Sequence, residues 1–228
     1  IKRRLAILRE ELNRLNINGF IIPRADEHQG EYVAHSSERL AWLTGFTGSA
    51  GVAIVLTEKA ALFIDGRYTL QAEAEVPGDL FDHCPLADYP PTDWISNHLR
   101  PSMKIGYDQW LMTPGQIVLY QAACKKAKAV LKPVSENLID AVWTDRPAPP
   151  SSPITIHDIA FAGQAAVDKR TQVADTLRED GCDAAVLTAP DSIAWLLNIR
   201  GSDIPFSPLA LAFAIINTDN SVDLFVDK

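Results

Sequence analysis

The feature that most constrains this chain is that its pattern runs through once and then starts again. Residues 12–22, a helix end leading into an apolar stretch, line up with residues 177–187, and Ala41-Trp42-Leu43 is matched by Ala194-Trp195-Leu196. Gly48-Ser49 is answered by Gly201-Ser202. Leu62-Phe63-Ile64-Asp65 is answered by Leu224-Phe225-Val226-Asp227, with about nine extra residues inserted in the second copy. Four blocks in one order predict two domains of one fold. The first copy continues through Gly66-Arg67-Tyr68 and several more elements where the second reaches Lys228, so the second domain is expected to be partial. A sheet cut there exposes a strand edge, which invites dimer contacts, strand exchange or aggregation.

Hydrophobic periodicity supplies the elements. Leu5, Leu8, Leu12 and Leu15 recur at helical spacing among charges and predict an amphipathic helix over residues 1–15, stopped near Asn18-Gly19. An apolar strand follows over 20–23, then a short helix around 37–43. Strands over 52–56 and 61–64 are separated by Thr57-Glu58-Lys59, close enough for an antiparallel hairpin. Further on the spacing predicts a helix over 67–76, a strand near Phe81, a helix over 92–99, a strand over 104–107, a helix over 114–126 and a strand over 130–134. Interleaved helices and strands give an α/β fold, a mixed β-sheet flanked by helices. Residues 145–153 hold four prolines in nine residues, which neither a helix nor a central strand can absorb. The domain boundary is therefore expected there: domain I over 1–145, a proline-rich linker over 146–153 and a partial second domain over 154–228.

Bulk properties exclude several function classes. With 228 residues, 47% of them hydrophobic, the chain has material for a real core. Its apolar runs fall far short of the roughly 20 residues a membrane span needs. The net charge is −8 with both signs mixed along the chain, so no basic stripe awaits a nucleic-acid backbone. Cys84, Cys124 and Cys182 are widely separated and form no CxxC pair, which suggests neither a disulfide framework nor a thiolate zinc site and fits a reducing cytoplasm. The first residue is Ile1 rather than Met, so the natural amino terminus is expected to lie upstream.

Several runs carry a resemblance. Residues 26–32 (DEHQGEY), 43–51 (LTGFTGSAG), 65–72 (DGRYTLQA), 136–140 (ENLID), 142–147 (VWTDRP) and 193–203 (IAWLLNIRGSD) resemble the amino-terminal part of cytosolic three-domain Xaa-Pro aminopeptidases, the aminopeptidase P family. The resemblance implies two creatinase-type amino-terminal domains, followed in the parent enzyme by a pita-bread metallopeptidase domain. That domain would hold two divalent metal ions, manganese in most members, and would remove a first residue preceding proline. No part of this sequence matches it, so the resemblance brings no catalytic residue, metal ligand or cofactor to this chain. It implies a non-catalytic piece that gates substrate access and supports assembly. The partners it implies are the carboxy-terminal catalytic domain, short Xaa-Pro peptides and a second subunit in a homodimer, with no nucleic acid and no membrane. Two alternatives are a stand-alone module binding a peptide or small amide, and the lid of a creatinase or prolidase relative.

Each candidate site residue also has an ordinary structural role open to it. His28, Glu31 and His35 are spaced to converge on a metal from a helix, but Gly30 interrupts that helix and loop hydrogen bonding is the better reading. Asp65-Gly66-Arg67-Tyr68 ends a strand and opens a helix, where the Arg67 guanidinium could take a peptide carboxylate in two-point fashion with Tyr68 beside it. Resemblance to creatinase, in which an arginine of the amino-terminal domain reaches substrate, supports a substrate-gate role. Arg200 and Asp203 are gate candidates at the domain junction, with a structural turn as the alternative. Trp42 and Trp195 are expected in cores. Gly45, Gly48 and Gly51 suit turns better than a phosphate cradle, and no GxSxG elbow is present.

Overall fold

The helix predicted at the amino terminus forms as α1 (Lys2–Arg14), and its Leu5, Leu8 and Leu12 are buried on one face. The structure is a computed structural model and describes residues 1–227, so Lys228, the expected end of the second copy, lies outside the described residues. Two compact units emerge: residues 1–27 with 37–147, and residues 28–36 with 148–228. Residues 28–36, which belong to the first copy in sequence, group with the second unit.

In unit 1, α1 leads into β1 (Gly19–Pro23), buried at all five positions, and then α2 (Arg39–Thr44). α2 ends at Gly45, whose φ of 84° is left-handed backbone that a side chain would strain. The hairpin follows as β2 (Gly51–Leu56) and β3 (Ala60–Ile64), then α3 (Thr69–Glu75), β4 (Asp82–Pro85) and α4 (Pro91–His98). β5 (Lys104–Asp108), α5 (Pro114–Lys126), β6 (Val130–Val134) and the short α6 (Leu138–Val142) complete it. Thr113 and Gln116 form a reciprocal capping box at the start of α5. α6 is too short for periodicity to announce; its local signal is Asn137, whose side chain accepts from the Ile139 backbone.

These strands form one six-stranded sheet in the order β4-β3-β2-β1-β5-β6, in which β2 alone runs against its neighbours. Side chains alternate across it. Phe20, Ile22, Ala53, Val55, Leu62 and Ile64 pack under α1, α2, α3 and α6, whereas Ile21, Ile54 and Phe63 pack under α4 and α5 with Trp94, Ile95 and Tyr120. The mixed sheet between helical layers matches the expected fold class. In detail, the helix expected from Arg67 opens as a 3-10 turn over Gly66–Tyr68, because the Asp65 carboxylate accepts from the Arg67 amide and tightens the first turn.

Unit 2 contains β7 (Thr155–Ile156), α7 (Ile159–Ala162), α8 (Ala166–Glu179), β8 (Ala184–Leu187), α9 (Pro190–Leu197), β9 (Ile199–Arg200), β10 (Phe213–Asn217) and β11 (Val222–Phe225). β8, β10 and β11 form an antiparallel sheet in the order β11-β10-β8, and β7 pairs with β9. The repeat holds at the level of single rungs. In unit 1, Ala53 is flanked by Ile22 and Leu62; in unit 2, Ala214 is flanked by Leu187 and Leu224, the residues the sequence blocks pair with them.

A polar device repeats as well. The Arg4 guanidinium donates to the Trp42 carbonyl at the end of α2 and lies 4.9 Å from the centroid of that indole. In unit 2 the Lys169 ammonium donates to the Trp195 carbonyl at 3.0 Å and stands 4.9 Å from its ring. Arg4 and Lys169 are equivalent by the register that pairs Leu12 with Leu177. Each copy therefore ties a long helix, α1 or α8, to the end of a shorter one, α2 or α9, by a cation that bonds a carbonyl of the last turn and covers an aromatic face.

Lys169 is 3% exposed and also donates to Asn198 Oδ1 at 2.7 Å. Lys169→Met should destabilise unit 2 by about 1–3 kcal/mol, because the buried Asn198 Oδ1 loses its donor and the Trp195 carbonyl keeps only the weaker bond from the Asn198 amide, and Lys169→Arg should restore part of that in urea unfolding. Burial pushes the Cys84 and Cys124 thiols up to about 11, while Cys182 is exposed. Maleimide titration at pH 8 should thus label Cys182 alone in the folded chain, since only about one part in a thousand of a thiol with that acidity is thiolate there, and all three cysteines after denaturation.

Candidate functional site

In unit 1, β1, β3, β4, β5 and β6 run the same way, so their carboxyl ends collect at one edge of the sheet, where open α/β sheets place their ligands. Two clusters stand at that edge. The first follows β3. Arg67 Nε donates to Asp65 Oδ1 at 2.9 Å, and the guanidinium carbon lies 5.4 Å from the Tyr68 ring centroid. The Arg67 side chain is 68% exposed. The Arg67 backbone amide and then its guanidinium hold the Asp65 carboxyl below its ordinary range.

Tyr68 is oriented from two sides. Its hydroxyl is 2.7 Å from Ser49 Oγ, and its ring meets Phe46 edge-on at 5.7 Å. The Ser49 side chain, and then its backbone, draw the phenol below its usual value. The loop that brings Ser49 here passes Gly48, where a Cβ would stand 2.3 Å from the Phe46 ring, so packing demands glycine. Thr47 ties the same loop to α3: its amide and hydroxyl donate to the two Glu75 carboxylate oxygens at 2.8 and 2.7 Å, and Gln71 donates to Glu75 at 3.0 Å. Partial burial opposes ionisation of Glu75, but these donors outweigh it and leave the carboxyl lowered. The sequence-predicted pair Arg67 and Tyr68 thus sits on a braced surface, its aromatic member anchored to the 45–51 loop.

The second cluster was not marked by sequence reasoning. Arg39 Nε and Nη2 grip the two Asp140 oxygens at 2.7 and 2.9 Å, and Arg146 Nη1 reaches Asp140 Oδ2 at 2.9 Å. Burial opposes the charge on Arg39, yet the Asp140 bonds, with Asp108 and Glu27 nearby, raise its pKa. Asp108 Oδ2 accepts from Asn137 at 2.9 Å. Arg39 and Asp140 are 101 positions apart, so no local spacing could have announced the pair.

Arg200 and Asp203 lie in unit 2 and are not brought together with Arg67 in one unit. Asp203 is buried, with Oδ1 accepting from the Ser152 amide and Oδ2 from the Leu211 amide, both at 2.9 Å. Arg200 Nη1 donates to the Ile199 carbonyl at 2.8 Å and, more weakly, to Ala194. Arg200 ends β9, and Asp203 braces the stretch that leads from it toward β10. His28 stacks on Phe213 at 4.4 Å with its Nδ1 3.0 Å from the Thr188 carbonyl, and His35 opens a separate 3-10 turn. Among the described residues no group of three His, Cys, Asp or Glu side chains is placed to hold a metal ion. The residues here therefore do not fit the two divalent ions implied for the parent enzyme.

The family model described as creatinase/prolidase N-terminal domain matches residues 4–142, and a second model of the same description matches residues 145–228. A protein named Probable Xaa-Pro aminopeptidase P from Ajellomyces capsulatus is 38% identical over 233 residues, covering 99% of this chain and 37% of the relative. Aminopeptidase P2 of Arabidopsis thaliana is 39% identical over 218 residues, covering 94% of this chain and 31% of the relative. The chain thus spans about a third of the length of these relatives. Among solved structures, the X-prolyl aminopeptidase of Caenorhabditis elegans, described as a cytosolic enzyme with a di-nuclear active site, superposes with a TM-score of 0.92 at 30% identity, covering 99% of this chain and 38% of that one. With one family model covering more than half of its length and a second following directly, the chain belongs to the creatinase/prolidase N-terminal domain family and carries two such domains in tandem.

Proposed function

We propose that this chain is the non-catalytic amino-terminal part of an Xaa-Pro aminopeptidase, which gates substrate access and supports assembly while the hydrolytic centre belongs to the remainder of the longer protein. The observation that carries this reading is the 0.92 superposition on a di-nuclear X-prolyl aminopeptidase of which the chain covers 38%. The two divalent ions of the parent, manganese in this reading, would be held by that remainder. What this chain supplies is positioning: walls that limit the peptide to short substrates, orient it and exclude water. A cytoplasmic location fits the described solved relative, and no helix among the described residues is long and apolar enough to cross a membrane.

The second domain reads as partial. In unit 1, Ile21, Ile54 and Phe63 are fully buried beneath α4 and α5. Their counterparts by the repeat are Val186, Ile215 and Phe225, of which Val186 is 69% and Phe225 55% exposed. Apolar residues repeated from a covered face call for a cover of the same kind, and a following stretch of the longer protein is the economical source. A homodimer of the parent belongs to the same proposal.

Arg67 is the gate residue, an exposed guanidinium at the carboxyl end of β3 suited to the terminal carboxylate of a short peptide. A second reading, a stand-alone module for a peptide or small amide, is favoured by a cleft of about 290 Å³ beside α1 and β6, lined in part by Arg14, Ile17, Lys132 and Leu138. That is the lower end of ligand-pocket sizes.

The 228-residue chain, incubated with manganese and Xaa-Pro dipeptides and tripeptides, should show no hydrolysis and no stoichiometric metal; robust turnover would reject the non-catalytic assignment. In the full-length parent, Arg67→Ala should lower kcat/KM for Xaa-Pro tripeptides by about tenfold, the worth of one charge-assisted hydrogen bond. Unchanged kinetics in a folded variant would remove Arg67 from the gate.

A further inference from the structure

Most of the extra residues of the second copy fall in one loop. Gly48 stands three residues ahead of Gly51 at the start of β2, whereas Gly201 stands eleven ahead of Ala212, the counterpart of Gly51 by the register that pairs Ala53 with Ala214. Residues 201–212 run to the start of β10 beside the carboxyl end of β8. In unit 1 the 45–51 loop runs to β2 beside the carboxyl end of β1. The lengthened loop of unit 2 is therefore the counterpart of the loop from which Ser49 orients Tyr68.

This loop is braced to hold one shape. The Gly201 amide donates to the Pro208 carbonyl at 3.1 Å and the Asp203 amide to the Leu209 carbonyl at 3.0 Å, while the Asp203 carboxylate takes the Ser152 and Leu211 amides. A Cβ at Gly201 would stand 2.7 Å from Ala210, so the two sides of the loop close tightly. At the tip the Ser207 amide donates to the Ile204 carbonyl at 3.3 Å, closing a turn around Pro205 and Phe206. Phe206 has φ 63°, a conformation that turns give to glycine or asparagine and that strains a bulky residue. Its ring is also 93% exposed. Both properties cost stability, and the packing of unit 2 uses neither. Tyr32, which groups with this unit through residues 28–36, lies edge-on to the Phe206 ring at 6.1 Å and is 45% exposed. Strain on a rigid support, carrying an exposed aromatic pair, is the signature of a contact made with a ligand.

We infer that Phe206 and Tyr32 bind an apolar side chain of the short peptide on which the parent enzyme acts, which makes them specificity-determining residues; the inference rests on the aminopeptidase reading above. Aromatic rings offer a large, stiff apolar surface at little rotational cost, and two of them set at an angle form a corner that an aliphatic side chain fills and a hydroxyl does not. Asp203, a gate candidate by sequence, is a positioning residue in this arrangement, and Phe206 is the residue that meets the peptide.

The test compares tripeptides with proline second and either Leu or Ser at the first or third position, cleaved by the full-length parent. Phe206→Asn should lower the ratio of kcat/KM for Leu over Ser by about three- to tenfold, the worth of a lost aromatic contact, through KM. Tyr32→Ala should move the ratio in the same direction, and Phe206→Tyr should keep it. In the 228-residue chain Phe206→Asn should unfold in urea no earlier than the unaltered chain, because asparagine suits the turn. An unchanged ratio in Phe206→Asn would overturn the inference. An equal loss on every peptide with a lower melting temperature of the full-length protein would overturn it as well, by making Phe206 a packing contact with the remainder. A parent that cleaves no Xaa-Pro peptide before any substitution would sink the aminopeptidase reading itself, and this inference with it.

Discussion

The interaction on which both copies depend is a cation laid on a tryptophan at the end of a helix. Arg4 reaches across from α1 to the Trp42 ring and carbonyl, and Lys169 does the same from α8 to Trp195. The last carbonyls of a helix lack internal partners and carry the negative end of its dipole, so a cation there satisfies a hydrogen bond and a field at once. Cation–π contact adds about 0.5–1 kcal/mol at exposed sites and more when dry. The result is geometric. Both helices are fixed relative to each other, and each chain must then leave its helix by a left-handed residue, Gly45 in one copy and Asn198 in the other.

The two copies solve that exit differently. Gly45 has no side chain and adopts φ 84° without strain. Asn198 adopts φ 51°, a region open to asparagine more than to most residues, and its amide is fully engaged, accepting from Lys169 and donating to the Gln164 carbonyl at 2.8 Å. The lysine that covers Trp195 therefore also steadies the residue that ends the helix. In unit 1 Arg4 has no such second task, and Trp42 instead stacks on Trp143 of the 142–147 run at 5.4 Å. That stack brings the stretch after α6 back to α1 and α2, beside the Asp140 cluster.

Much of this architecture was legible because it is periodic. The leucine stripe of α1, the apolar runs of β1 to β3 and the four repeated blocks are short-range patterns, and the register Ile22–Ala53–Leu62 recurs as Leu187–Ala214–Leu224 because those patterns recur. Tyr68 and Arg67 could be picked out since an Asp-Gly-Arg-Tyr turn at a strand end is a local signal. What escaped is non-local or irregular. The Arg39–Asp140 grip joins residues 101 positions apart, and α6 spans five residues, too few to show a helical period. The grouping of residues 28–36 with unit 2 rests on contacts such as His28 with Phe213 that no spacing encodes.

The electrostatics of the two units bear on the role proposed for them. A general acid or base is normally prepared by desolvation with few partners, which moves its pKa toward neutrality. Among the carboxyls and the buried thiols the shifts go the other way. Asp65, Glu75 and Asp219 are held below their ordinary range by hydrogen bonds, and the Cys84 and Cys124 thiols are pushed up to about 11 by burial. Groups locked in one charge state are poor proton carriers but good fixed dipoles and ion-pair partners. They suit surfaces that must hold their shape, which is what the proposed positioning role asks of them, since preorganised positioning is worth several kcal/mol to a reaction.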